Sequence, residues 1–347
     1  MIKDSFRNYI WPIATLSGGI IGVGFLSLPY VALQVGMGWM LLYFAIFTAL
    51  VIWIHVMFGE IALQTPDFKR FPGFVGFYFG KPVEAIALVL LNVGSYGALL
   101  VYIIVGSQFL ATIFGGTILW WAVAYFLAAA FMVLVGIRFI SKIEFWALVT
   151  LLAALALILF KGFGHVSTMH FAVPAAVTGF RGLFLAFGPL VFSLWGTGLI
   201  PETEEMMPGH KERLKKVIII STLIPAIFYL AFTVIILGIT GGQTTEAAFT
   251  GARAVLGDGI ISLAVLMGVV PTFVSFITQG LILKKSYKYD LGIAEFPAWV
   301  FAVFPAMMLF LIGITQFIGI ISFIGVFLLP IDAVLIVIMY LRIKRTT

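Results

Sequence analysis

The sequence predicts an all-α integral membrane protein, with ten transmembrane helices in a 5+5 inverted repeat and the first and sixth helices broken. Three observations support this prediction. The 347 residues are 63% hydrophobic and only 10% charged, whereas a soluble domain carries about 25% charged residues. Apolar runs long enough to cross a bilayer recur along the whole chain. Glycine and proline interrupt two of those runs, at matching places in the two halves.

The apolar runs divide the chain into ten predicted spans, each of a length suited to crossing a membrane. In chain order they cover residues 9–35, 38–63, 84–113, 117–136, 143–161, 180–200, 216–240, 257–283, 297–313 and 316–341. The first run is too long for a cleaved signal peptide, so we expect a permanent span. The prediction is therefore one domain over residues 1–347, with one repeat at about 9–161 and the other at about 180–341.

The basic residues predict the orientation of the chain. If the N-terminus is cytoplasmic, 17 of the 20 Lys and Arg lie on that side, and only Lys161, Arg181 and Arg253 lie on the other. Lys and Arg are enriched in cytoplasmic loops, so both termini are expected in the cytoplasm and the protein in the plasma (inner) membrane. The net charge of +6 then reflects topology, and no nucleic-acid partner is expected. Five spans per half would invert the second half relative to the first.

The two interrupted spans predict broken helices. The first span holds four glycines within seven residues, followed by a proline: Gly18, Gly19, Gly22, Gly24 and Pro29. The sixth repeats the pattern with Gly196, Gly198 and Pro201. In a helix interior glycine costs roughly 1 kcal/mol and proline about 3 kcal/mol relative to alanine. Small residues also pack membrane helices together, but the matched clusters favour two breaks whose bare backbone lines a cavity.

Several short segments along most of the chain fit a known pattern. They are GGIIGVGFLSLP at 18–29, GEIA at 59–62, YFGKP at 78–82, YIIVGSQFL at 102–110, FSLWG at 192–196, IPE at 200–202, and VSFI at 274–277 through Asp290. Together they resemble the amino acid–polyamine–organocation superfamily, and within it the amino acid/auxin permeases and the bacterial aromatic amino acid permeases. The resemblance implies the leucine-transporter fold, in which spans 1, 2, 6 and 7 form a bundle and spans 3, 4, 8 and 9 a scaffold.

A broken helix offers partners for both charges of an amino acid. Amides at the start of a half-helix suit a carboxylate, and here they are expected from Gly22, Val23 and Gly24. Carbonyls at the breaks suit an ammonium group, and the expected ones belong to Ser17, Gly18, Phe192 and Ser193. Trp195, Gly196 and Tyr96 are expected as further site residues, although Trp195 and Tyr96 could equally be packing residues. Neither broken span has a charge at its middle, which favours a neutral substrate.

Coupling to sodium or to a proton is expected. The resemblance implies sodium between carbonyls of span 1 and hydroxyls of span 8, here Gly18, Ile21, Thr272, Ser275 and Thr278. Oxygen ligands suit a hard cation, but such hydroxyls also bond their own helix. A proton would need an intramembrane ionisable group, and the candidates are His55, Glu60 and Asp332. Glu60 could instead be the structural partner of a nearby Arg or Lys. The chain has no cysteine, and we expect no cofactor beyond a sodium ion.

These observations predict a secondary active transporter that imports neutral amino acids, with aromatic and branched ones as candidates, by alternating access. Its partners would be a small amino acid and membrane lipids. An amino acid sensor that binds without transport remains an alternative. A membrane enzyme or electron-transfer subunit is disfavoured because His55 is the one histidine within the predicted spans. A metal-ion transporter is disfavoured because the breaks lack Asp, Asn, Met and His. No catalytic residues are expected.

Overall fold

The computed structural model describes residues 9–66, 69–136, 140–172, 175–246, 248, 252 and 255–346. Within these ranges the chain is helical and contains no β-strand. Arg253, one of the basic residues used to orient the chain, lies outside the described residues.

The described part of the first half contains seven α-helices. They are α1 (Trp11–Ile20), α2 (Leu28–Val35), α3 (Met37–Gln64), α4 (Phe71–Phe79), α5 (Lys81–Phe114), α6 (Ile118–Val135) and α7 (Ile140–Gly162). Glycine with positive φ separates neighbouring helices where the chain reverses. Gly36 (φ 83°) lies between α2 and α3, and Gly80 (φ 84°) between α4 and α5. Such φ values are accessible to glycine without steric cost.

Seven α-helices, several of them short, have both ends given in the described part of the second half. They are α8 (Gly179–Leu194), α9 (Ile200–Glu205), α10 (Leu214–Thr240), α11 (Asp258–Tyr289), α12 (Glu295–Leu311), α13 (Phe317–Phe323) and α14 (Leu329–Thr346). A wide π-helical turn, Ile324–Leu328, joins α13 to α14.

Helix length and composition make this a multi-pass membrane protein. Seven helical segments of the described chain are long and apolar enough to cross a membrane, and the bent pair α1–α2 makes an eighth. Helix α12 is apolar but shorter. Large apolar side chains such as Trp120 and Phe160, 76% and 77% exposed, suit a surface that faces lipid. The count of ten spans stays a prediction.

The helices pack in two groups with the breaks between them. Helices α1, α2, α3, α8, α9 and α10 pack against one another, and so do α5, α6, α11 and α12. Helix α7 contacts α1 in the first group and α11 in the second, while α13 contacts both α8 and α5. This is the division into a bundle and a scaffold that the resemblance implies.

Both glycine clusters interrupt their helices, as predicted. Helix α1 ends at Ile20, and a 3-10 turn at Gly24–Ser27 leads into α2, with a bend of 47° between the two halves. Helix α8 ends at Leu194 because Trp195 turns to an extended conformation (φ −75°, ψ 126°), and a second 3-10 turn precedes α9. Each break therefore leaves several backbone groups without a helical partner.

Candidate functional site

A cavity of about 120 Å³ lies between the two breaks. Both breaks contribute to its wall, and five of the six glycines that line the cavity belong to them. The lining residues of the breaks are Gly19, Ile20, Gly22 and Gly24 from the first, and Phe192, Ser193, Trp195, Gly196, Thr197, Gly198 and Leu199 from the second. Since glycine has no side chain, the cavity is bordered by backbone peptide groups of both breaks.

The opposite wall comes from the scaffold and from α14. One face of α5 lines the cavity with Leu91, Gly94, Ser95, Ala98 and Tyr102, most of them spaced three or four residues apart. Helix α11 contributes Ser275, Thr278, Gln279 and Ile282. The Gln279 side-chain amide donates a hydrogen bond to the Ser95 hydroxyl at 2.8 Å, which joins the two scaffold helices. This wall is mixed, with the polar groups of Ser95, Tyr102, Ser275, Thr278 and Gln279 among apolar residues such as Leu91, Ala98 and Ile282.

Close packing explains why both breaks need glycine. A Cβ at Gly24 would lie 2.9 Å from Cδ1 of Phe192, and one at Gly196 would lie 2.5 Å from Cγ1 of Ile20. Each contact is shorter than real Cβ atoms tolerate, so the two breaks touch through their glycines. A Cβ at Gly22 would lie 2.7 Å from the Tyr102 hydroxyl. These glycines thus permit close approach as well as the helix break.

Tyr229 on α10 connects the two breaks. Its buried hydroxyl lies 3.0 Å from the Ile20 carbonyl oxygen and 3.1 Å from the Ser193 carbonyl oxygen. A tyrosine hydroxyl has one proton, so it donates to one of these carbonyls at a time. Tyr229 was not predicted as a site residue, since a tyrosine among the apolar residues of a span carries no signal of its partner.

His55 on α3 contacts the second break. Its Nε2 atom accepts a hydrogen bond from the Gly196 backbone N–H at 3.1 Å, and its Nδ1 atom lies 3.1 Å from the Thr222 hydroxyl. The ring is fully buried, and its centroid lies 5.8 Å from that of Trp195. This proton-coupling candidate therefore supports the second break from α3 and is not among the residues that line the cavity.

The predicted substrate residues divide into two groups. Gly22, Gly24, Phe192, Ser193, Trp195 and Gly196 line the cavity, and Ser17, Gly18, Val23 and Tyr96 are not among its lining residues. The Ser17 carbonyl already accepts the Ile21 N–H at 3.0 Å, and its hydroxyl donates to the Ser221 carbonyl. The Tyr96 hydroxyl donates to the Phe301 carbonyl at 2.9 Å. Tyr96 therefore joins α5 to α12 and lies away from the breaks.

The candidate sodium ligands are only partly brought together. The Ser275 hydroxyl donates to the Ile21 carbonyl at 3.1 Å, so α11 meets the first break as expected. The Thr272 hydroxyl instead donates to Gly268 of its own helix at 2.8 Å. Thr278 lines the cavity. Among the described residues, no three His, Cys, Asp or Glu side chains are grouped as a metal would require.

The remaining ionisable candidates occupy different surroundings. Glu60 lies 3.5 Å from the ammonium nitrogen of Lys344, which fits the structural role considered for it. Asp332 lines the cavity, and its buried Oδ1 atom has no hydrogen-bond partner in the part of the chain that the structure describes. Of the two carboxylates, Asp332 is therefore the one placed to contact a solute.

Comparison with known proteins agrees with this geometry. The model of the tryptophan/tyrosine permease family matches residues 7–256, which is most of the chain. The chain belongs to the tryptophan/tyrosine permease family. It is also similar to the tyrosine-specific transport system 1 of Haemophilus influenzae, with 23% identity over 319 residues, covering 83% of this chain and 78% of that protein.

Solved structures of similar shape share the fold of this permease. MhsT in complex with L-phenylalanine superposes with a TM-score of 0.71 and 13% identity, covering 94% of this chain and 87% of that one. Mhp1, a nucleobase-cation-symport-1 transporter with bromovinylhydantoin bound, superposes with a TM-score of 0.73 and 13% identity, covering 94% of this chain and 76% of that one. The Eremococcus coleocola manganese transporter superposes with a TM-score of 0.67 and 13% identity, covering 97% of this chain and 79% of that one. The chain therefore has the leucine-transporter fold.

Proposed function

We propose that this permease is a secondary active transporter that imports neutral aromatic amino acids, with tyrosine and tryptophan as the first substrates to test. One observation carries the proposal: the cavity between two facing helix breaks, in a chain of the tryptophan/tyrosine permease family. The similarity to a tyrosine-specific transport system supports the choice of substrate. We place the family within the amino acid–polyamine–organocation superfamily that the sequence resembles.

The backbone of the breaks would bind the zwitterion. The first N–H groups of a helix have no intrahelical partner and lie at its positive end, so the amides around Gly24 would hold the carboxylate. Because Tyr229 donates to one carbonyl at a time, Ile20 or Ser193 keeps a carbonyl lone pair for the ammonium group. The aromatic side chain would lie against the face of α5 that holds Tyr102 and the apolar residues Leu91 and Ala98.

We infer ten spans in two inverted repeats of five, with both termini in the cytoplasm and the protein in the plasma membrane. The α1–α2 pair and the α8–α9 pair each count as one broken span, and α12 is a short one. The excess of Lys and Arg on one side supports this orientation. Alternating access would then move the bundle relative to the scaffold around the breaks.

Transport would be coupled to a cation entering with the substrate. Sodium would bind near the contact between the Ile21 carbonyl and the Ser275 hydroxyl, with Thr278 as a further oxygen ligand. A proton would instead be carried by Asp332, whose Oδ1 atom is buried without a partner among the described residues. Gradients applied one at a time separate these two possibilities.

Uptake by the purified permease in liposomes tests the proposal. We expect saturable uptake of labelled L-tyrosine, driven by an inward sodium gradient or an inward proton gradient and inhibited by unlabelled L-tryptophan. Manganese uptake serves as a control for the metal-ion transporter alternative. Thermal stabilisation by tyrosine without uptake under either gradient would indicate a sensor. Neither uptake nor stabilisation by any of the twenty amino acids would contradict the assignment, since ligand binding raises stability by mass action.

A further inference from the structure

We propose that His55 is a positioning residue, which in its neutral Nδ1–H form holds the second break in its binding conformation by accepting the Gly196 N–H. This rests on the proposed function, because Gly196 lines the cavity in which the amino acid would bind. It gives His55 a role different from the carriage of a coupling proton.

The Gly196 amide needs a partner from outside its own helix. Helix α8 ends at Leu194, and Gly196 has a non-helical conformation (φ −141°, ψ 16°). A buried N–H group without an acceptor is strongly unfavourable. The structure supplies the acceptor from α3, where Nε2 of His55 lies 3.1 Å from the Gly196 nitrogen. The break is thus completed by a side chain that is distant in the sequence.

The hydrogen bonds of Thr222 fix the form of the imidazole. The Thr222 hydroxyl donates its one proton to the Ile218 carbonyl at 3.0 Å. Towards Nδ1 of His55, 3.1 Å away, it can therefore act only as an acceptor. Nδ1 then carries the ring proton, and Nε2 presents its lone pair to the Gly196 N–H. A doubly protonated ring would place two N–H donors opposite each other and break this contact.

Tyr229 and His55 form hydrogen bonds with the second break, one on either side of it. Tyr229 donates to the carbonyl of Ser193, just before the break, and His55 accepts from the amide of Gly196, just after it. Trp195, between them, packs against the imidazole at an interplanar angle of 64°. Residues 193 to 196 are therefore held in place from α3 and α10 at once. The loss of the His55 contact would free the amide and let the cavity wall at Trp195 move.

Two substitutions that differ by one methylene group test the role. In His55→Gln, the oxygen of the side-chain amide lies the same number of bonds from Cβ as Nε2 of the histidine does. It can therefore accept the Gly196 N–H. In His55→Asn, the shorter amide can reach Thr222 but leaves Gly196 unpaired. We expect the Kd for L-tyrosine to stay within about threefold of wild type in His55→Gln and to rise about tenfold in His55→Asn. A tenfold rise is about 1.4 kcal/mol of binding free energy, which lies within the cost of leaving a buried N–H unpaired.

The pattern across the two variants decides the outcome. Equal weakening in both would mean that His55 only fills space, and wild-type binding by His55→Asn would mean that the Gly196 contact has no role. Either result overturns the proposal. Uptake measured in the same variants adds a second readout, because a positioning residue for binding should change KM more than the maximal rate.

The tautomer can be tested without any substrate. In nitrogen-15 NMR spectra of the histidine-labelled permease, which has four His, the His55 signals are those missing from His55→Gln. We expect a protonated Nδ1 and an unprotonated Nε2. A protonated Nε2 would overturn the proposal even if His55→Asn proved too unstable to assay. If wild type binds no amino acid while the ring has the expected tautomer, the proposed function fails and the His55–Gly196 contact stands.

Discussion

Tyr229→Phe removes a buried hydroxyl that lies between carbonyls of the two breaks. The hydroxyl lies 3.0 Å from the Ile20 carbonyl and 3.1 Å from the Ser193 carbonyl. Phenylalanine preserves the ring, which stacks on Phe25 with centroids 5.5 Å apart and an interplanar angle of 7°. The substitution therefore changes hydrogen bonding and leaves the packing of the aromatic cluster in place.

The size of the effect follows from the groups left behind. A buried donor or acceptor that loses its partner costs about 1–3 kcal/mol. A carbonyl oxygen has two lone pairs and tolerates under-satisfaction better than an N–H, and both carbonyls of this pair belong to residues that line the cavity. We therefore expect the free energy that holds the breaks together to fall by an amount near the lower end of that range, about 1–2 kcal/mol. If the breaks must be joined for the ligand to bind, this weakens the affinity by roughly 5- to 30-fold.

The assay is the Kd for L-tyrosine together with the melting temperature in the same detergent. Tyr125→Phe is the matched control, because its buried hydroxyl has no hydrogen-bond partner among the described residues. We expect Tyr125→Phe to bind as wild type and to melt at the same temperature or slightly above it. If Tyr229→Phe behaves like Tyr125→Phe in both measurements, the hydroxyl does not hold the breaks together and the reasoning fails.

Two further predictions concern glycine packing and pH. Gly24→Ala should lower uptake at least about fivefold, because its Cβ would meet Phe192 at 2.9 Å and overpacking costs about 1–3 kcal/mol. Gly38→Ala should transport normally, because no neighbouring atom lies within 4 Å of a Cβ at that position. At the end of α11, burial raises the pKa of Asp290, although the hydrogen bond from Ser286 opposes the shift. A raised folded-state pKa means that stability falls as the pH rises through it. Asp290→Asn should therefore raise the melting temperature at neutral pH and have a smaller effect in acid.

Local sequence signals were sufficient to predict the breaks. Glycine and proline act on the helix that contains them, so the clusters around Gly22 and Gly196 predicted both breaks without knowledge of the packing. The apolar runs likewise predicted the helical segments, because hydropathy is a property of each segment alone.

The partners across the site were harder to predict, because they depend on which way each side chain faces. Tyr96 and Tyr229 are both tyrosines within apolar spans, yet Tyr96 bonds Phe301 on the scaffold while Tyr229 joins the breaks. The hydroxyls of α11 show the same limit. Ser275 reaches the first break, and Thr272 three residues earlier bonds its own helix. The spacing of side chains along a helix does not determine how the helix is rotated about its axis, and so does not determine which side chains face a neighbouring helix.

A crystal structure of the permease with 5-bromo-L-tryptophan tests the central claim most directly, because the anomalous signal of bromine locates the ligand without any assumption about its orientation. We expect the bromine peak in the cavity bordered by Tyr102 and Trp195, with the ligand's carboxylate at the amides around Gly24. A ligand bound anywhere else, or a helix that runs unbroken through either glycine cluster in the complex, would contradict the account.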